Sequence, residues 1–244
     1  GLSTIRHEAA FSPEALPLFQ RAGIKVDEDV HLYRNEKEAE TMADSFIAQG
    51  KRLFWFYPPP TGRYPDSSHL ISPGLYRYLN SKANLEELVP QQHLPRRKTL
   101  RHEEFASYTP DTKVFLKSSG DVATGWGYAV HFCHNQDSLT KAKLWFAKHH
   151  DSVPSIIVEE AVPLVACWCA GIVVDDTDST CFGGAEQLFA SPGRQSGTMI
   201  DPEVPFPAAG ATLARQVGET ARQLGFRGVG GIDIGLSYEG KLIV

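Results

Sequence analysis

Three stretches of this sequence place charged side chains where an apolar strand would normally exclude them. Lys117 ends the run Val114-Phe-Leu-Lys117, and a lysine there needs an anionic partner or an exit to solvent; a side chain snorkelling from a strand end is the plainer alternative. The segment that follows, KSSGDVATGWG, joins glycines to small hydroxyl residues. Such a loop lets backbone N–H groups turn toward a phosphate, with the lysine as a point charge, although alone it reads equally well as a β-turn. It is not a P-loop, because Trp126-Gly127 stands where Lys-Ser/Thr is required, and GVGG at 228–231 lacks the helix of a dinucleotide fingerprint. Glu159 and Glu160 end the strand-like SIIVEE. Neighbours on a strand point to opposite faces, so one carboxylate faces inward unless the strand has already ended. Asp233 lies between Ile232 and Ile234, a position that calls for a cation, a metal or hydrogen-bond donors, or for a purely structural hydrogen bond.

The elements that must position these groups are legible in outline. A Ser12-Pro13 start and Gly23 predict a helix through Leu16, Leu18 and Phe19, and Glu36 to Gln49 predict a second, closed by Gly50. LFWFY at 53–57 reads as a strand buried on both faces, and the Pro/Gly-rich 58–73 as a linker. Asn80 or Ser81 is expected to cap a helix running to Val89. Strands follow at 114–117 and 127–133. Asn135 then caps a helix carrying Leu139, Ala142, Leu144 and Phe146, and strands follow at 155–160, 166–174 and 180–190. Residues 191–210 read as a loop and 211–224 as a helix. Residues 231–234 and 241–244 are expected to pair as a hairpin across Glu239-Gly240.

Composition removes whole classes of function. At 244 residues, with 42% hydrophobic and 22% charged residues, the chain is globular and needs no disulfide or metal staple. A net charge of −5 and no basic stripe argue against nucleic acid as a partner. No apolar run reaches the length of a membrane span and no signal peptide is visible, so a soluble, cytoplasmic protein is expected. Cys133, Cys167, Cys169 and Cys181 lack metal-ligand spacing and read as buried free thiols; His131 and His134 beside Cys133 have no second cluster to complete a zinc site. The chain begins abruptly at Gly1 and stops inside a strand at Val244, so it is expected to be part of a longer protein.

In their order these features resemble the ATP-grasp superfamily. LNSKANLEELVP looks like the helix bearing that family's first nucleotide lysine, Lys82, and VFLKSSGDVATGWG like its second, Lys117, with the glycine-rich lid. IIVEEAV is similar to the hinge between the ATP-binding subdomains, and GGIDIGLSYEGKLIV to the hairpin that supplies a magnesium ligand. The resemblance covers about residues 80–244. It implies an α/β (α+β) fold class: two α+β subdomains, 80–162 with the lysines and lid and 163–244 with the metal-site hairpin, preceded by a partial Rossmann-like α/β domain over 1–79.

The resemblance further implies ATP and Mg²⁺ as ligands. Lys82 and Lys117 would meet the α/β-phosphates under a lid from Ser118 to Gly127 that includes Ser119, Thr124 and Gly125. The backbone around Glu160 and Val162 would meet the adenine edge, with Glu159 toward its amino group. Asp233 would bind Mg²⁺, and Arg194 would reach a γ-phosphate or acyl phosphate. The implied activity is ATP-dependent carboxylate–amine ligation through an acyl phosphate, on an amino acid or peptide. A small-molecule kinase on the same fold, or a non-catalytic nucleotide-binding module, is the alternative. The short preceding domain resembles that of peptide ligases. Two departures stand out: Pro163 to Cys169 offers no carboxylate for a ribose, and the second metal-binding pair is expected beyond Val244.

Overall fold

The computed structural model describes residues 3–10, 17, 21, 29–55, 62–120, 129–201 and 206–244. The described residues form two compact units, one reaching to Trp55 and resuming as far as Leu70, the other running from Ile71 to Val244. The expected helix through Leu16, Leu18 and Phe19, most of the expected lid, and residues 56–61 lie outside the described residues.

In the first unit, β1 (Thr4–His7) and β2 (Val30–Tyr33) pair in parallel, Thr4 opposite Val30. Helix α1 (Glu36–Ala48) starts where the sequence places it: the Asn35 side chain accepts the Glu38 N–H at 3.0 Å, and the Glu38 carboxylate accepts the Arg34 N–H at 2.8 Å. These bonds satisfy donors that a helix start leaves free. Ala43 and Ile47 of α1 join Ile5, Leu53, Trp55 and Tyr64 in a small core. Of the strand expected at LFWFY, the described residues 53–55 make one bridge, Leu53 to His69. Leu53 is buried but Phe54 is 45% exposed, so these residues cover one face only.

The second unit opens with α2 (Pro73–Asn80), which has the sequence hallmark of Ser72 as N-cap and Pro73 at the first turn. Its Leu75, Tyr76, Tyr78 and Leu79 pack with Val174, Leu213 and Val217. The single helix expected over 80–89 is broken: Asn80 ends α2, Lys82–Asn84 form a 3₁₀ turn, and α3 (Leu85–Leu88) is one turn long. Ser81 does not cap with its side chain, because its hydroxyl donates to the Ser119 carbonyl at 2.8 Å.

Two sheets follow. Strand β3 (Arg97–Leu100) leads to the short helix α4 (His102–Ser107), then β4 (Val114–Ser118), β5 (Val130–Cys133), α5 (Gln136–Lys148) and β6 (Ile156–Glu160), giving an antiparallel order β3-β6-β4-β5. Asn135 caps α5 through the Ser138 N–H at 2.9 Å. Leu139, Ala142 and Phe146 of α5 are buried with Leu116, Ile156 and Val158, whereas Leu144 is 67% exposed and falls off the inward stripe.

The other sheet has the order β11-β10-β7-β8-β9, from β7 (Leu164–Val174), β8 (Ser179–Ser191), β9 (Arg194–Met199), β10 (Gly228–Ser237) and β11 (Leu242–Ile243). Helix α6 (Ala208–Gln223) covers one face, burying Leu213, Ala214 and Val217 with Ala170, Ile172 and Ile234. The expected loop 191–210 is instead partly strand: Ser191 pairs with Arg194 across Pro192-Gly193, with Gly193 at φ +74°. Proline followed by a positive-φ glycine is a tight-turn pair, so part of the composition that suggested a loop belongs to this turn. No helix among the described residues is long and apolar enough to cross a membrane.

Candidate functional site

The strand registers decide which charges meet. In the four-stranded sheet, Arg97 stands opposite Glu159, Glu159 opposite Phe115, and Lys117 opposite Ile157 and Val130. Alternation places all of these on one face, while Leu116, Ile156 and Val158 fill the face under α5. Glu159 is therefore the inward carboxylate of the pair, with its side chain 4% exposed. Lys117 Nζ forms an ion pair with its Oε2, and Arg97 Nη1 lies 3.4 Å from its Oε1. That second contact is within ion-pair range, yet neither Arg97 Nη1 nor Glu159 Oε1 has a hydrogen-bond partner. Arg97 reaches further: its Nε pairs with Glu86 at 3.2 Å and its Nη2 donates to the Lys82 carbonyl. Glu160 turns outward to Arg96, in two contacts of 2.9 and 3.2 Å.

In the five-stranded sheet, Asp233 stands opposite Cys169, and Gly231 and Gly235 opposite Gly171 and Cys167. The opposite face, with Ala170, Ile172 and Ile234, packs on α6. Gln187 reaches across from β8: its Nε2 donates to Asp233 Oδ1 at 2.9 Å, and its Oε1 accepts from the Cys167 thiol at 3.2 Å. The hairpin turn between β8 and β9 comes down on the other sheet; a Cβ at Gly193 would lie 3.5 Å from Phe115 and 3.7 Å from Val130, on the face that carries Lys117.

The charges act on one another. Burial holds the Lys82 ammonium below its ordinary range, the Lys117 charge adds to that, and Glu159 and Asp233 oppose it. Burial likewise pushes the Asp233 carboxyl up, against hydrogen bonds from Cys169 and Gln187 and the charges of Lys117 and Lys82. The Cys167 thiol is pushed up to about 12 and that of Cys169 to about 11, mainly by burial. An ammonium and a carboxylate in one site, their titrations displaced in opposite directions, suit a ligand that brings both anionic oxygens and a cation. Among the described residues no three His, Cys, Asp or Glu side chains form a metal cage. The Asp233 carboxylate offers the oxygen chemistry that a magnesium ion accepts.

Of the residues expected from sequence, Lys82, Lys117, Glu159 and Asp233 are brought together electrostatically. Ser118 is not lid: it ends β4, buried, on the face opposite Lys117, and its hydroxyl accepts the Gly120 N–H at 3.2 Å. Ser119 anchors the chain, its carbonyl held by Ser81 and its hydroxyl by the N–H and hydroxyl of Ser155 at 3.0 and 2.7 Å. Thr124, Gly125 and Gly127 lie outside the described residues. At the hinge the Val162 N–H donates to the Glu160 carbonyl at 3.0 Å and the Glu160 N–H to the Arg96 carbonyl at 2.8 Å. Meeting an adenine edge with the Val162 N–H therefore requires the first of these bonds to open. Arg194 starts β9 beside the turn with its side chain exposed. The four cysteines are free, but only Cys133 is fully buried. Arg97 and Gln187 were not singled out by the sequence; a basic run PRRK and one glutamine in a polar-alternating strand carry no signal until the registers are known.

Comparison with known proteins gives concordant results. A family model described as the ATP-grasp domain of L-aspartate–L-methionine ligase matches residues 95–244, and one for the N-terminal domain of the same ligase matches residues 1–77. The chain is similar in fold to N5-carboxyaminoimidazole synthetase from Staphylococcus aureus complexed with ADP, with a TM-score of 0.68 and 11% identity over 100% of this chain and 69% of that one. It is also similar to an L-amino acid ligase from Bacillus licheniformis, with a TM-score of 0.61 and 11% identity over 100% of this chain and 66% of that one. The biotin carboxylase domain of Hydrogenobacter thermophilus 2-oxoglutarate carboxylase, in complex with MgADP, ADP and bicarbonate, has a TM-score of 0.64 and 13% identity over 99% of this chain and 62% of that one. The chain thus spans between 62 and 69% of the length of these three structures.

Proposed function

This chain belongs to the L-aspartate–L-methionine ligase family of ATP-grasp proteins, and on that premise we propose that it joins the carboxylate of one amino acid to the amine of another with ATP, through an acyl phosphate. The observation that carries the reading is the single constellation of Lys82, Lys117, Glu159 and Asp233, in which the half-buried ammonium of Lys82 and the solvent-reaching carboxyl of Asp233 are displaced from their ordinary titration in opposite directions. We assign Lys82 and Lys117 to the α/β-phosphates, with residues 120–127, including Thr124, Gly125 and Gly127, as the lid, and Ser118 and Ser119 as its anchor. Glu159 is assigned to the adenine amino group together with the Glu160 and Val162 backbone, Arg194 to the transferred phosphoryl group, and Asp233 to magnesium. The division into 1–79, 80–162 and 163–244 is retained as the functional partition.

In this reading the substrate carboxylate attacks the γ-phosphorus of ATP, the bond to ADP breaks, and an amine then displaces phosphate from the acyl carbon while its proton passes to solvent. The protein's part is to position reactants and neutralise charge. The two lysines offset the negative charge of the phosphates, and Glu159 keeps Lys117 extended along its strand before ligand arrives. Magnesium, when bound, supplies further charge neutralisation at the phosphate oxygens, and Asp233, oriented by Gln187, is the residue that would hold it.

The test is phosphate release from MgATP by the full-length protein, with L-aspartate and L-methionine supplied singly and together. Release that needs both amino acids, with a dipeptide seen by mass spectrometry, supports the reading. A phosphorylated small molecule without amide would make the protein a kinase, and nucleotide binding without any turnover would make it a binding module.

A further inference from the structure

Arg97 has more connections than a strand-start arginine needs. Its side chain is 4% exposed, as little as that of Glu159. From this position it touches three separate elements: the carboxylate of Glu159 on β6, the carboxylate of Glu86 on α3, and the backbone carbonyl of Lys82 in the 3₁₀ turn. Glu159 is in turn the partner of Lys117. One guanidinium thus links the two segments that carry Lys82 and Lys117.

We infer that Arg97 is a positioning residue for both lysines, holding Lys82 through its carbonyl and Lys117 through Glu159 so that the two ammonium groups face the same ligand. The inference rests on the reading that these lysines meet the phosphates of ATP. The Lys82–Asn84 turn is a single 3₁₀ turn without a side-chain cap, so its backbone needs an external anchor to present a fixed side chain. Arg97 supplies that anchor. Its second task concerns charge. A buried carboxylate with Lys117 as its sole partner would hold that lysine strongly; sharing Glu159 between two cations leaves Lys117 able to turn toward an incoming phosphate. The 3.4 Å gap between Arg97 Nη1 and Glu159 Oε1, with neither atom hydrogen-bonded, leaves room for this contact to shorten when Lys117 departs. A lysine at position 97 cannot do the same work, because the task needs a rigid fork with donors in several directions rather than one compact charge.

The test compares wild type, Arg97→Lys, Arg97→Met and the double variant Arg97→Met/Glu159→Gln as full-length proteins. Affinity for MgATP and for adenosine is measured by calorimetry, and unfolding of the ligand-free proteins is followed in parallel. Loss of hydrogen bonds to a charged group should weaken MgATP binding on the order of tenfold to a hundredfold in Arg97→Lys and Arg97→Met, with adenosine affinity unchanged. The double variant, in which Lys117 no longer faces a carboxylate of its own, should still not recover MgATP affinity, because the Lys82 turn stays without its anchor. Wild-type affinity for MgATP in Arg97→Met or in the double variant overturns the inference, as does equal weakening toward MgATP and adenosine. A wild-type protein that binds no MgATP overturns the nucleotide reading itself, which separates the two failures.

Discussion

Lys82 and Asp233 titrate away from their ordinary ranges in opposite directions: burial is the first cause for each, and the opposite charges nearby, Glu159 and Asp233 for Lys82 and Lys117 and Lys82 for Asp233, work against it. Lys82 loses its proton at a lower pH than a solvated lysine, because burial comes first and the Lys117 charge second. Nucleotide affinity should therefore decline as pH rises through this lowered value, still below the ordinary 10.5. In Lys82→Arg, whose guanidinium stays charged throughout, the decline should move to higher pH in a titration of MgATP binding; an unchanged midpoint would remove Lys82 from the phosphate site. Asp233→Asn should lower magnesium-dependent turnover by roughly a hundredfold or more, as loss of a charge-stabilising group does, with nucleotide binding retained. Turnover near wild type would remove Asp233 from the metal. Lys117, Glu159 and Asp233 were legible in the sequence because a charge in an apolar strand is conspicuous by its cost, whereas Lys82, on no strand, was named only by the family resemblance. Arg97 and Gln187 were not legible, because each owes its role to the residue placed opposite by the register, and register is a property of paired strands that no local pattern contains.

At the scale of elements, the sheets place the site and the helices behind them fix the sheets. Helix α6 lies so close to β8 that a Cβ on Gly218 would come within 2.0 Å of Ser179 Oγ and 3.0 Å of Ile172 Cδ1. Ser179 is buried, and its Cβ would also lie 3.0 Å away, so turning its hydroxyl aside still leaves a close contact. Gly218→Ala, ordinarily favourable within a helix, should instead destabilise by about 1–3 kcal/mol through overpacking, measured as a lower denaturation midpoint in urea at unchanged slope. A stabilised variant would mean that α6 can lift from the sheet. Many elements behind the site followed from sequence: the capped helix after Asn135, the apolar strands and a hairpin turning at Glu239-Gly240 all have strong local chemistry. That hairpin, however, pairs Gly235 and Leu236 with Ile243 and Leu242, while 231–234, expected to face 241–244, pair with β7. The failures share a cause. Asn80-Ser81 resembles a helix start, but the true start is Ser72-Pro73, and the chain around Lys82 follows its tertiary anchors at Arg97 and Ser119 rather than helix propensity. In the same way β9 is made a strand by the ladder of β8, since its Gly, Ser and Gln residues offer little propensity of their own.

At the scale of the molecule, pH should act on stability through a histidine remote from the nucleotide face. His131 alternates on β5 to the side of the sheet beneath α5, where its ring lies 4.8 Å from that of Trp145 and 5.3 Å from that of Phe146. Its Nε2 is buried without a partner. Burial, and secondarily the charge of His149, hold His131 below the ordinary 6.5, so the folded chain accepts this proton less readily than the unfolded one. The sign follows directly: the contribution is complete above the unfolded value and is lost as pH falls through 6.5 toward the lower folded value. Carboxylates held down by hydrogen bonds act elsewhere on the scale; Asp175, lowered to about 2 by the Thr177 hydroxyl and the Asp178 and Thr177 amides, makes its contribution only in stronger acid. The ring pair His102 and His150, tilted at 45° with centroids 4.2 Å apart, is present in both proteins of the following comparison and cancels from it. Melting temperatures of wild type and His131→Phe, measured between about pH 5 and 8 where histidine titrates, should diverge as pH falls: the wild type declines and the variant declines less. Parallel curves would show that the proton enters without opening the packing of β5 against α5, and that His131 reaches water as a cation in the folded chain.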